Sequence, residues 1–321
     1  VQPYHPVTNA KHNENITALS AVVGAYLIWG FSPIFWKHLL HVSHDEILAH
    51  RIIWSLIFTG LSIFFLRSKT AKEPKLSTKE KTVKWGYSLI CSILVGLNWL
   101  LYIIAVNSNR IVEASLAYFL SPLLIVFAGK FFLKEEIRPY RRISIALAFC
   151  GVLSSIIAFR AIPWMTITIS LTWVFYTILH KKCGGNPIAG LNREMTILTP
   201  LTVAYLIFYV GTENMAFFSS SEKYTTTLLI FSGVLTALPL VLFQFSAKRL
   251  PMITVGMMQY ISPTLQLMTG CIIYGEVIST EYSLTFPLVW IALIVDSTGM
   301  LLEWKKRRRI PVKIMLMDNS L

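Results

Sequence analysis

The sequence predicts an all-α membrane protein: ten transmembrane helices arranged as two inverted five-helix repeats. Three observations predict it. Of 321 residues, 55% are hydrophobic and only 14% charged, where a soluble domain carries about 25% charged residues. The apolar residues fall into ten runs, each near the roughly 20 residues a helix needs to cross a hydrocarbon core of about 30 Å. Finally, one stretch, YFLSPLLIVFAGKFFLKEEI at 118–137, is echoed by QYISPTLQLMTGCIIYGEVI at 259–278.

The runs lie near 17–37, 46–66, 84–107, 112–133 and 140–159, then 161–180, 194–211, 225–246, 251–274 and 282–303. The fifth and sixth are separated only by Arg160 to Pro163, which reads as a tight hairpin. Uniformly apolar runs favour helices over a β-barrel, whose strands would alternate apolar and polar residues. In hydrocarbon such a run must pair its own N–H and C=O groups, as a helix does. The chain therefore divides into a polar N-terminus (1–16), a first repeat (17–159), a second repeat (160–303) and a basic C-terminus (304–321). The N-terminal stretch lacks the apolar core of a signal peptide, so none is expected there.

Charge sets the expected orientation. With both termini in the cytoplasm, 23 of the 29 Lys and Arg residues fall inside, Lys130 falls within a span, and Lys37, Arg51, Arg110, Arg160 and Lys223 fall outside. That is the positive-inside pattern. Trp36 and Trp164 then sit at outer ends, Trp85 and Trp304 at inner ends, as interfacial tryptophans do. Topology thus accounts for the net charge of +13. No basic stretch is interleaved with base-stacking aromatics, so no nucleic-acid partner is expected.

The repeat is specific. At a constant offset, Ser121-Pro122 matches Ser262-Pro263, Gly129 matches Gly270, and Glu135 matches Glu276. The first spans align too: Leu27, Trp29, Phe31 and Lys37 with Leu171, Trp173, Phe175 and Lys181. Five helices is an odd number, so the second copy enters from the opposite side, the architecture of many secondary transporters. Pro122 and Pro263 lie near mid-span. Each lacks an N–H and frees the carbonyl four residues back, that of Tyr118 or Gln259. Paired mid-membrane breaks point to a central cavity.

The segments GAYLIWGFSPIFWKHL (24–39), EILAHRIIWS (46–55), NWLLYIIAV (98–106) and EASLAYFLSP (113–122) resemble the RarD group of permeases, in the EamA-type branch of the drug/metabolite transporter superfamily. The resemblance runs from about residue 20 to 303. It implies ten helices in inverted halves, a bacterial cytoplasmic (inner) membrane location, and export or exchange of a small solute. Members of the group carry a chloramphenicol-sensitivity label.

Candidate cavity residues are Trp29, Asn98, Tyr102, Tyr118, Ser121, Pro122, Tyr176, Gln244, Gln259, Tyr260 and Pro263. Aromatic faces with sparse amides suit an amphipathic solute. Gate or coupling candidates are His50, Arg51, Glu113 and Asp296. Asp296 lies within span ten, where an ionised carboxylate costs about 2.5–3.5 kcal/mol on insertion scales, so it should be protonated, paired or turned inward. Cys91, Cys150, Cys183 and Cys271 have no metal-ligand spacing and read as apolar filler. No Walker loop, H-E-x-x-H or G-x-S-x-G occurs. Neither cofactor, metal nor enzymatic activity is expected, and transport would draw on the solute's own gradient or on protons. The expected partners are lipids and the solute, with the chain a monomer or homodimer. The competing readings are a membrane enzyme built on Glu46, His50, Arg51 and Glu113, and a non-transporting sensor.

Overall fold

Helices account for nearly all of the residues described by the computed structural model, which are 9–66, 77–107, 111–158, 164–183, 185–209, 216–217, 223–275 and 280–309. They are α1 (Asn9–Trp36), α2 (His44–Leu66), α3 (Thr78–Asn107), α4 (Ile111–Phe132), α5 (Pro139–Ala158), α6 (Trp164–Cys183), α7 (Pro187–Tyr209), α8 (Lys223–Arg249), α9 (Met252–Gln259), α10 (Ile261–Met268) and α11 (Thr285–Arg309). Local chemistry fixes several starts. Ser77 and Glu80 form a capping box at α3: the Ser77 hydroxyl accepts from the Glu80 N–H, and the Glu80 carboxylate from the Ser77 N–H at 2.8 Å. Asn186 caps α7 by accepting from the Ile188 N–H at 2.8 Å, with Pro187 at the first helical position.

Six described segments are long and apolar enough to cross a membrane: Glu14–Leu39, His44–Phe65, Lys79–Ala105, Pro139–Ala158, Lys223–Arg249 and Thr280–Glu303. The surface agrees. Phe65, Phe131, Ile207 and Phe208 are more than two-thirds exposed, whereas Ser92, Ser144, Ser155, Ser232 and Ser246 are fully buried. Exposed large apolar side chains over small hydroxylated contacts suit a lipid solvent.

The chain forms two units. The second joins α5 to α11. There Arg141 Nε donates to Asp296 Oδ1 at 3.1 Å, with both side chains buried, and Ser155 contacts Thr285. In the first unit α1 packs on α8 and α10, α2 on α7 and α8, α3 on α6 and α7, and α4 on α6 and α9. Small residues bring the backbones together. A Cβ on Gly233 would lie 2.3 Å from Trp54 Cβ and 2.4 Å from the Trp54 carbonyl carbon. Ser55 Oγ donates to the Gly233 carbonyl at the same crossing. Gly233→Ala should therefore lower the thermal unfolding midpoint of the purified protein, with a cost of about 1–3 kcal/mol from overpacking. An unchanged melting curve would contradict so close an approach.

The two repeated prolines behave differently. The second Ser-Pro helix divides at Tyr260 into α9 and α10, then loosens into a π turn at Thr269–Ile273 that contains the repeated Gly270. Pro263 cannot donate to the Gln259 carbonyl, and the Tyr260 N–H turns to the Met257 carbonyl, at 3.4 Å, in place of the carbonyl four residues back. By contrast α4 runs uninterrupted through Pro122. The expectation of a break in both halves thus holds only in the second. Around Pro122 the Ala117 carbonyl accepts from Ser121 Oγ at 2.6 Å and Ser170 Oγ at 3.3 Å, and α9 braces the turn with Gly256 against the Pro122 carbonyl. The helix ends do match. Lys134 and Gly275, equivalent in the repeat, both turn the chain with positive φ, 55° and 65°.

Candidate functional site

Arg51 lies about two turns inside α2. Its Nε donates to Thr236 Oγ1 on α8 at 2.9 Å. Its guanidinium lies over Trp36 at 5.1 Å and Trp99 at 4.9 Å, a cation–π arrangement. Tyr102 and Tyr118 complete the group, ring centroids 6.2 Å apart. The two tyrosines keep 38% and 39% of their surface accessible. Among the described residues no carboxylate pairs with Arg51. The cluster thus offers one cation, two phenols and indole faces.

Toward the middle of the helices, aromatic rings fill the interior. Trp29 meets Trp173 at 5.7 Å and Phe243 at 5.8 Å, and Tyr26 lies behind them. Trp173 Nε1 donates to Gln259 Oε1 at 3.4 Å, one residue before the break. Tyr260 OH donates to the Phe119 carbonyl at 3.2 Å. Trp29 and Trp173 are repeat equivalents, and so are Phe119 and Tyr260. Residues of the same repeat position therefore touch each other at the centre of this unit.

A second polar group surrounds Glu194 on α7, which is 1% exposed. Glu194 Oε1 is 3.0 Å from His180 Nε2, and Oε2 accepts from Tyr176 OH at 3.0 Å. Tyr176 OH accepts in turn from Gln244 Nε2 at 2.8 Å. Cys91 brings its thiol within 4.8 Å of the imidazole and carboxylate. A pocket lined by Lys84, Ser88, Arg193 and Lys248 leads to this group. Three cations at its mouth oppose a divalent metal, and Glu194 Oε2 is already engaged by Tyr176 OH, so the cluster is poor as a metal cage.

The remaining sequence candidates are distributed otherwise. Asn98 spends its amide on α6, donating to the Ile169 carbonyl and Thr172 Oγ1. Ser121, Pro122, Ser262 and Pro263 are buried in helix contacts, and Tyr176 and Gln244 are fully buried. His50, a gate or coupling candidate, and Glu46 are 4% and 1% exposed. Glu46 accepts the backbone N–H groups of Ala216 and Phe217 at 3.2 and 2.9 Å, and His50 stacks on Phe217 at 4.3 Å. They clamp a connecting segment. Asp296 is paired with Arg141 in the other unit. The side chain of Glu113 and the position of Glu276 lie outside the described residues. Sequence reasoning missed Glu194, His180, Trp99 and Thr236. Glu194 stands at the edge of the predicted seventh span, where an acidic residue looks like a flank, and Cys91 read as filler.

Comparisons place the chain. A model of the EamA-like transporter family matches residues 16–157. The uncharacterized transporter YojE of Bacillus subtilis is 34% identical over 297 residues, 92% of this chain and 98% of that protein. Protein RarD of Escherichia coli is 33% identical over 273 residues, 85% and 91% of the two chains. The chloramphenicol-sensitive protein RarD of Pseudomonas aeruginosa is 29% identical, over 84% and 91%. A crystal structure of a protein with 14% identity shares the fold, with a TM-score of 0.64 over 89% of this chain and 97% of that one. With its apolar spans and lipid-facing surface, the chain belongs to the RarD group of the EamA-like transporter family and is a multi-pass membrane transporter.

Proposed function

We propose that this chain is a secondary transporter of the bacterial inner membrane that moves a small amphipathic aromatic solute by alternating access. The observation that carries the reading is the meeting of repeat equivalents, Trp29 with Trp173 and Phe119 with Tyr260. A two-fold relation between halves brings equivalent positions into contact at its axis. Other contacts cross in the same manner. Lys37 lies over Tyr274, near the end of the second Ser-Pro helix, while its equivalent Lys181 lies 3.9 Å from Glu135 at the end of the first. The pairing of α2 with α8 and of α3 with α7 exchanges likewise. Five helices per half would make the halves inverted, and the charge pattern supports a cytoplasmic side for both termini.

In this reading the solute's aromatic body lies against Trp36, Trp99, Tyr102 and Tyr118, and its polar or anionic head meets Arg51. The interruption at Tyr260 is the hinge, since a helix with a missing bond bends at low cost. Purified protein in liposomes, tested by counterflow of radiolabelled phenylpyruvate, phenylalanine and chloramphenicol, should exchange at least one of the three. Pro263→Ala, which can restore the helical bond, should slow that exchange about tenfold, a barrier change of about 1.4 kcal/mol. Pro122→Ala should do less, because α4 is already continuous. No exchange of any probe, or a Pro263→Ala rate equal to wild type, would count against the mechanism.

A further inference from the structure

The Glu194 cluster has no part in holding the solute under the reading above. It is nonetheless a carboxylate and an imidazole buried together at the foot of a polar pocket. Intramembrane ionisable pairs of this kind mark proton pathways. We propose that His180 and Glu194 form the proton-binding site that couples transport to the proton gradient. The inference rests on the transporter reading and adds its driving ion.

The chemistry is a single proton exchange. His180 Nε2 takes a proton from water in the pocket, and the imidazolium is neutralised by Glu194 Oε1 at 3.0 Å. Release delivers the proton to water on the opposite side once access to the pair has switched, so one proton crosses per cycle and no other co-reactant is needed. The facing groups poise the pair. Lys84 from α3, Arg193 from α7 and Lys248 from α8 line the pocket, and their positive charge opposes a further cation. The Glu194 carboxyl, which accepts from Tyr176 OH at 3.0 Å, favours it. Cys91 of α3 is the remaining titratable group within 4.8 Å.

The site also reaches the hinge in few steps. When the pair gains or loses charge, the demand on Tyr176 OH changes. Tyr176 stacks on Trp173, ring centroids 5.5 Å apart. Trp173 holds Gln259, the last residue before the break. The divided helix is therefore the element whose two arrangements both sites bias.

The test uses full-length protein in liposomes. Wild type should accumulate a probe that passes the counterflow assay when a pH difference is imposed. Glu194→Gln should lose that accumulation at least tenfold while keeping counterflow, the separation expected of a coupling residue and not of a packing one. Glu194→Asp keeps the charge and should retain part of the pH response, which covers a Gln variant that does not fold. Independently of any solute, an infrared pH-step difference spectrum of the detergent-solubilised wild type should show carboxylate and imidazole bands that Glu194→Gln and His180→Gln both remove. Accumulation unchanged in Glu194→Gln, or identical infrared spectra, would overturn the proton site and leave the transporter reading standing. Absence of counterflow with the infrared bands present would sink the transporter reading instead.

Discussion

Arg51→Met should weaken binding of an aromatic carboxylate such as phenylpyruvate by about tenfold to a hundredfold. Hydrogen bonds to a charged group contribute about 1.5–3 kcal/mol, and each 1.4 kcal/mol is about a factor of ten in affinity. Methionine keeps much of the stem's volume and apolar contact with Trp36 and Trp99, so the change isolates the guanidinium. Its Nε also ties α2 to α8 through Thr236, which makes a fold control necessary. Neutral chloramphenicol supplies one, since its exchange should fall much less. Arg51→Lys should lie between, because an ammonium keeps the charge but loses the planar fork and the stacking on indole. The measurement is the dissociation constant from tryptophan quenching, backed by counterflow for each probe. Equal affinity for phenylpyruvate in wild type and Arg51→Met would remove Arg51 from the solute site.

The second large effect concerns stability. Asp296→Leu should destabilise the purified protein by about 3–5 kcal/mol, because it leaves the buried Arg141 guanidinium without its counter-charge. The pair is 3.1 Å apart, and both side chains are buried between α5 and α11. Combining Asp296→Leu with Arg141→Met should recover most of the loss, since replacing a whole buried pair with apolar residues is often neutral. Thermal unfolding of the two single variants and the double variant in one detergent measures this directly. A double variant no more stable than Asp296→Leu would contradict it. Transport by the double variant should match wild type, and its loss would return Asp296 to the list of coupling groups.

Parts of this arrangement were legible in the sequence because they depend on local chemistry. Pro263 cannot supply an N–H whatever surrounds it, and the helix divides at Tyr260. The same argument failed for Pro122, because neighbours decide whether a proline bend becomes an interruption. There α9 packs against the turn, with Gly256 close to the Pro122 carbonyl. Asp296 was expected to need a partner, and burial of a charge in hydrocarbon required one. That the partner is Arg141, 155 positions away, depends on how two helices face each other.

By itself the sequence determined the solvent of this chain, the helical state of its apolar runs and the self-similarity of its halves. Transfer free energy and backbone hydrogen bonding act over a few residues at a time, so they can be read from a linear pattern. Tertiary structure alone decided which polar groups meet. It drew Arg51 in among indoles and phenols, turned Asn98 onto α6, and set Glu194 against His180 and Tyr176. Those outcomes follow from helix rotation and crossing, set by where small residues such as Gly233 and Gly256 let two backbones approach, and no single segment contains that information.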